Sequence, residues 1–259
     1  MIDSSCRISG FFQFIHRSNY GLIRSAANRF DRVHGYIHHC LPDGSPRDTA
    51  SQIHFLEAFR FPVEWAEDPG DLQGPFFDLT SPEEIHEQIR KDVAAALNRT
   101  IFFDPLFLQR SILGAFGPNT RLITTNGCFD ILHPGHAQTL ESAKRHGDLL
   151  VVLINNDASV KRFKGDSRPV HDENFRALLL TCLRVVDYVL VFSQDTPLES
   201  LEILRPAIHV KGGSFIEDRI RAERDLLNSW GGELLQLPML GNLSTTAIIE
   251  RFGTEPFPV

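Results

Sequence analysis

Apolar residues are patterned differently in the two halves of the chain. From residue 121 on, short apolar stretches alternate with segments of helical period. Residues 121–125 (R-L-I-T-T) read as a strand ended by Asn126-Gly127. Residues 149–154 (L-L-V-V-L-I) form an unbroken apolar run, as in a strand covered on both faces, and 188–192 (Y-V-L-V-F) form another. Between them, Phe175, Leu178, Leu179, Cys182 and Leu183 recur at helical spacing across 173–185. Strand ends follow at 210–213 (V-K-G-G) and 234–237, and Ser244-Thr245-Thr246 caps a last helix running through Arg251. Short connections between alternating strands and helices predict an α/β fold, a doubly wound parallel sheet covered by helices.

The first half lacks this regularity. Its many phenylalanines, among them Phe11, Phe12, Phe55, Phe59, Phe102 and Phe103, predict a packed region and not a disordered tail. Its clearest element begins at Ser81 as N-cap, with Pro82 at N1 and Glu84 at N3. Ile85, Ile89, Val93 and Leu97 then follow at four-residue spacing. Residues 41–47 and 62–75, rich in Pro, Gly and Asp, read as loops, and 114–119 as a linker. The expected organisation is a mainly helical N-terminal region over residues 1–118, of unknown role, and a second domain over 119–259. His34 and His38 would share one face of a helix. No acidic or cysteine partner stands at ligand spacing, so no metal site is assigned.

Composition narrows the function. A net charge of −7 over 259 residues argues against a nucleic-acid surface or attraction to an anionic membrane, so any basic site must be local. Four cysteines without metal or C-x-x-C spacing predict free thiols in a reducing compartment, with the cytoplasm as the default location. The N-terminus lacks the layout of a signal peptide, and no stretch reaches the length of a membrane span.

The chemistry concentrates where the first regular strand gives way to a helix. His133 and His136 flank Pro134-Gly135, the expected first helical turn, where unpaired backbone N–H groups and the positive dipole end favour phosphate. Gly127 and Gly135 would let a polyphosphate approach the backbone closely. The bland alternative is a capped, half-exposed helix start. Lys161, Arg162, Lys164 and Arg168 form the one dense basic cluster, in a loop after the second strand. Ligands of doubly wound sheets bind at that end of the strands. Taken alone, such a run is as readily a solvated surface.

G-x-F-D-x-x-H-x-G-H, from Gly127 to His136, resembles the signature of the cytidylyltransferase-like nucleotidyltransferases, a family with a Rossmann-like fold. The stretches N-D-A-S-V-K-R-F-K-G-D-S-R-P-V, V-K-G-G and L-S-T-T-A-I-I-E-R are more narrowly similar to the sugar-phosphate adenylyltransferase domain that makes ADP-heptose from heptose 1-phosphate and ATP. That resemblance covers about 120–253. It implies that His133, His136 and Lys161 serve catalysis. It also implies nucleotide contacts from Asn126, Gly127, Cys128, Phe129, Gly135, Lys164, Arg168, Arg176, Lys211, Gly212, Gly213, Ser244, Thr245 and Thr246, with Asp130 bracing the loop. ATP with Mg²⁺ is the implied donor, a sugar phosphate the acceptor, and a homo-oligomer stays open. Ser214-Phe215 departs from the family's usual Asp-Tyr on the acceptor side. The first half is too short for the sugar kinase that precedes the domain in some relatives. A cytidylyltransferase for a polyol or amino-alcohol phosphate and a non-catalytic nucleotide-binding scaffold are the alternatives.

Overall fold

The computed structural model describes residues 99–212 and 217–237, the shorter pieces 5–10, 32–37, 56–61, 63–66 and 91–96, and positions 23, 27 and 89. Strands β1 (Ser5–Gly10), β2 (Arg32–Ile37) and β3 (Val63–Ala66) form a parallel sheet in that order. The larger sheet comprises β4 (Ile101–Phe102), β5 (Leu122–Gly127), β6 (Leu149–Asn155), β7 (Tyr188–Phe192), β8 (Ile208–Gly212) and β9 (Glu233–Leu237). Its order is β4-β7-β6-β5-β8-β9, every pair parallel. From β5 the chain adds β6 and β7 on one side, then returns to place β8 and β9 on the other. The strand order therefore reverses between β5 and β8, which opens a crevice beyond their carboxyl ends.

The central strands show why this sheet forms. All seven residues of β6 are buried. Leu149, Val151 and Leu153 face one apolar layer while Leu150, Val152 and Ile154 face the other, so a continuous apolar run suits a strand covered on both sides. One layer takes helix α1 (Pro105–Phe116) through Leu108 and Ile112, together with α5 (Leu198–Leu204). The other takes α2 (Pro134–Lys144) through Ala137, Leu140 and Ala143, and α4 (Glu173–Thr181) through Phe175 and Ala177 to Leu180. Helix α6 (Glu217–Asn228) leads into β9.

Several sequence expectations are corrected here. Among the described residues, the first half carries β1 to β3 beside the helical residues 91–96. Residues 63–66, expected in a loop, are β3, where Val63 pairs with Val33 and Trp65 with Gly35. His34 lies on β2, so the helical spacing behind the metal reading does not exist. Ile89 and residues 91–96 are helical as expected, whereas 81–88 and 41–47 lie outside the described residues.

Residues before the expected boundary at 118 also pack with the larger sheet. Residues 114–116 belong to α1, which Asp104 caps by accepting from Leu106 N and Phe107 N. The helix and β4 are part of the larger sheet unit, because Phe102 packs edge-on against Tyr188 with ring centroids 5.8 Å apart. Earlier residues join the same core. Ile23, Val33, Leu56 and Phe59 share an apolar cluster with Ile123 and Leu150, and Phe59 bridges antiparallel to Leu183. Arg60 N donates to Cys182 O at 2.6 Å and Arg184 N to Ala58 O at 2.8 Å.

Phe102→Ala should therefore destabilise the whole six-stranded unit by about 3–5 kcal/mol. Urea denaturation of Trp65→Phe protein, in which Trp230 is the one remaining tryptophan, followed by fluorescence reports on that unit. An unchanged midpoint would mean that β4 unfolds separately.

Candidate active site

The crevice is floored by the ends of β5 and β8 and walled by the start of α2. His133 is the N-cap of α2, with extended backbone (φ −142°, ψ 167°) and no side-chain cap bond, and Pro134 occupies N1. This geometry brings the His133 and His136 rings into a stack with centroids 3.8 Å apart and 25° between planes. Phe129 closes the stack on the far side, 5.0 Å from the His136 ring. Phe129 is held at φ +47°, a left-handed conformation rare for a bulky residue. Its ring fills the space beside Gly127, where an added Cβ would come within 3.0 Å of it. Gly127 thus makes room for an aromatic ring, whereas the sequence suggested room for phosphate.

Burial controls the charge of both imidazoles. It lowers His133 to a pKa of about 4. It holds His136 well below the ordinary value, helped by the neighbouring His133 and opposed by a backbone hydrogen bond to Ile131. Both are neutral at pH 7. Their Nδ1 atoms are buried without a hydrogen-bond partner. A buried, unpaired polar atom costs about 1–3 kcal/mol, so the stacked pair is kept at an energetic cost that packing alone does not explain.

The loop between β5 and α2 is held from outside. Asp130, 1% exposed, accepts from Arg168 Nε at 2.5 Å, Val170 N at 2.8 Å and His171 N at 3.0 Å. This bears out the bracing role expected of Asp130. Arg176 is completely buried. Its guanidinium donates to His171 O (3.0 Å), Cys128 O (2.6 Å), Asn155 O (2.8 Å) and Asp157 Oδ1 (2.7 Å). Arg176 is therefore a strut joining the ends of β5, β6 and the loop before α4. Four of its five N–H groups are taken by the chain, which leaves one for the nucleotide contact expected of it.

The basic cluster divides. Residues 157–164, expected as a loop, form helix α3 (Asp157–Lys164), capped by Asn156 accepting from Ser159 N at 2.9 Å. Ser159 and Val160 are buried, which turns the charged residues outward. Arg162 is tied to Asp195 at 2.6 Å, and Arg168 belongs to Asp130. Lys161 and Lys164 are exposed in the last turn of α3, where cations complement the helix dipole. Lys164, Arg168 and Arg176 all lie close enough to Cys128 to favour its thiolate, yet burial outweighs them and raises the thiol's pKa.

At the floor, Lys211 Nζ donates to Asn126 Oδ1 at 2.7 Å. Gly212 is small of necessity, since a Cβ there would meet Thr139 Cγ2 at 2.6 Å. Gly135 is partly exposed at the start of α2, and its carbonyl accepts from Thr139 Oγ1 at 2.9 Å. The structure thus unites Asn126, Gly127, Cys128, Phe129, His133, Gly135, His136, Lys211 and Gly212 around one crevice. Gly213, Ser214, Phe215 and Ser244 to Thr246 lie outside the described residues. Sequence reasoning missed Thr124, His209 and Glu223, which are buried at the same place. The one available signal was a histidine between Ile208 and Val210 in an apolar strand.

Residues 124–251 match the family model described as cytidylyltransferase-like. The chain carries a cytidylyltransferase-like domain on a Rossmann-like sheet. Over that part it is 48% identical to the bifunctional protein HldE of Syntrophotalea carbinolica, across 50% of this chain and 26% of that protein. It is 47% identical to the bifunctional protein HldE of Bradyrhizobium sp., across 49% of this chain and 26% of the relative. The matched part spans about a quarter of the length of these relatives. Among solved structures, the lipopolysaccharide core biosynthesis protein of Thermoplasma volcanium is 28% identical with a TM-score of 0.40. That match covers 48% of this chain and 100% of that one.

Two outcomes follow from the geometry. Arg176→Met should cost about 3–5 kcal/mol in chemical denaturation, because it strands three carbonyls and a carboxylate of the loops. Stability should also depend on pH through His133. The unfolded imidazole takes a proton near pH 6.5 and the folded one only near 4, so the unfolded chain binds more protons between those values. Stability from this group is complete above pH 6.5 and falls by about 3 kcal/mol as the pH drops to 4. His133→Asn should lack that share of the loss in denaturation midpoints measured from pH 7.5 to 4.

Proposed function

We propose that the six-stranded unit is a nucleotidyltransferase that moves AMP from ATP to a sugar 1-phosphate, with a heptose phosphate as the leading acceptor, and releases pyrophosphate. The stacked His133–His136 pair carries this reading: two neutral imidazoles with unpaired Nδ1 atoms at a helix N-terminus, beside the crevice where strand order reverses. Such rings can donate to, or be protonated beside, the oxygens of a polyphosphate. The similarity to the HldE proteins supports the choice of acceptor class.

In this reading a sugar-phosphate oxygen attacks the α-phosphorus of ATP in line and pyrophosphate leaves from the opposite side, without a covalent intermediate. The protein contributes position and charge. His133 and His136 hold the phosphates through donors that strengthen as charge grows in the transition state. Lys161, exposed in the last turn of α3, meets the charge that grows on the α-phosphate. Ser244 to Thr246 take the end of the triphosphate. Mg²⁺ bound as part of the nucleotide substrate would offset the charge of the phosphates.

Pyrophosphate release should appear with ATP and a sugar 1-phosphate in a panel of sugar, polyol and amino-alcohol phosphates run against ATP and CTP. Release with CTP and an alcohol phosphate would move the protein to the cytidylyltransferase alternative. No release with any pair would favour the scaffold. His136→Ala should cost about 2–4 kcal/mol of barrier, roughly thirtyfold to a thousandfold in rate, with little change in melting temperature. A destabilised but fully active variant would assign the ring to packing between Phe129 and His133 alone.

A further inference from the structure

The crevice floor contains a chain of hydrogen bonds whose proton positions can be deduced. Lys211 Nζ donates to Asn126 Oδ1 at 2.7 Å and to Glu223 Oε1 at 2.9 Å. An ammonium group has donors only, so the Asn126 atom facing it must be the carbonyl oxygen, and the amide nitrogen points away. His209 Nε2 lies 3.2 Å from that same oxygen, so Nε2 carries the ring proton and Nδ1 is bare. Thr124 Oγ1, 2.7 Å from Nδ1, must then donate its hydroxyl hydrogen to it. One consistent arrangement remains, and its open end is Asn126 Nδ2 with two hydrogens.

The cost of this arrangement points to a use. Thr124 and His209 are 0% exposed and Glu223 is 3% exposed. Glu223 Oε2 is buried without a hydrogen-bond partner, 3.8 Å from His209 Nε2. Apolar residues of the same volume would hold the sheet to α6 at least as well, since buried ion pairs rarely stabilise more than hydrophobic packing does. Only Asn126, at the carboxyl end of β5, and Lys211 are partly open to the crevice. We propose that Thr124, His209, Lys211 and Glu223 are positioning residues that turn the Asn126 amide so that Nδ2 donates to a phosphate oxygen of bound substrate. Whether that phosphate belongs to the nucleotide or to the acceptor rests on the nucleotidyltransferase reading. The orientation of the amide does not.

Asn126→Asp separates this role from a structural one. Either carboxylate oxygen can accept from Lys211 and His209, so the network and the melting temperature should survive. The group presented to the crevice changes from a donor to an anion. Expected is a loss of about ten- to a thousandfold in kcat/KM, with KM rising for ATP if the nucleotide phosphate is held and for the sugar phosphate if the acceptor is held. Glu223→Ala, which releases Lys211, should raise the same KM. Wild-type kinetics in Asn126→Asp, or a rise in the other KM in Glu223→Ala, would overturn the proposal. Two arms do not need turnover. ¹⁵N NMR of the free protein should find His209 as the Nε2–H tautomer, and the Nδ1–H form would refute the network. Calorimetry with inorganic tripolyphosphate should show tighter binding to the wild type than to Asn126→Asp, and equal isotherms would refute the contact. If those arms succeed while no substrate pair releases pyrophosphate, the reaction assignment fails and the positioning network stands.

Discussion

Arg176 carries a full charge in a place with no access to water, and the site depends on how that charge is satisfied. A guanidinium can be buried only if fixed acceptors replace its hydration, and here three carbonyls and one carboxylate do so. The acceptors lie on separate segments: the loop after β5, the end of β6, the start of α3 and the loop before α4. Satisfying one side chain therefore sets the mutual positions of four segments. Asp130 repeats the scheme with opposite sign, gathering Arg168 and two backbone N–H groups. The two charges pin the loop carrying Cys128 and Phe129 from both ends, and the histidines follow from where that loop delivers the chain to α2.

The crevice combines this rigidity with little free charge of its own. Its imidazoles are neutral through burial, Lys211 is matched by Glu223, and Arg168 is matched by Asp130. Among the described residues, Lys161 and Lys164 stand exposed on α3 without such a match. An anionic ligand would meet preorganised dipoles and donors inside and exposed cations outside. That arrangement suits transfer of a phosphoryl-linked group, in which charge shifts among oxygens while the protein stays still.

The sheet was legible from the sequence because its strands are covered on both faces. The runs at 149–154 and 188–192 need no partner to be recognised, and β6 and β7 coincide with them to within a residue. The histidine motif was equally plain, since Pro134 marks the helix start and the two rings flank it. Helix α3 was hidden because its eight residues include four charged ones, and Asn155-Asn156-Asp157 serves a strand end and a helix cap alike. The strut role of Arg176 was hidden because no local pattern reveals that its partners come from 48 residues upstream and 21 residues upstream. Strands β1 to β3 were missed for a related reason. Pieces of four to six residues interrupted by glycine, or preceded by proline, become strands only through pairing with one another.

The edge of the larger sheet at β4 bears on how this chain avoids sticking to copies of itself. An exposed strand is a template for a further strand, and β7, with its Tyr-Val-Leu-Val-Phe sequence, would be a potent one. The chain covers it with a strand of two residues, pairing only Val189 and Leu190, and then turns at once into α1 through Asp104 and Pro105. Pro105 has no N–H to offer an incoming strand, and two residues are too few to set a register. The brevity of β4 thus works as a guard, sealing an apolar strand while leaving almost no ladder for another molecule to extend.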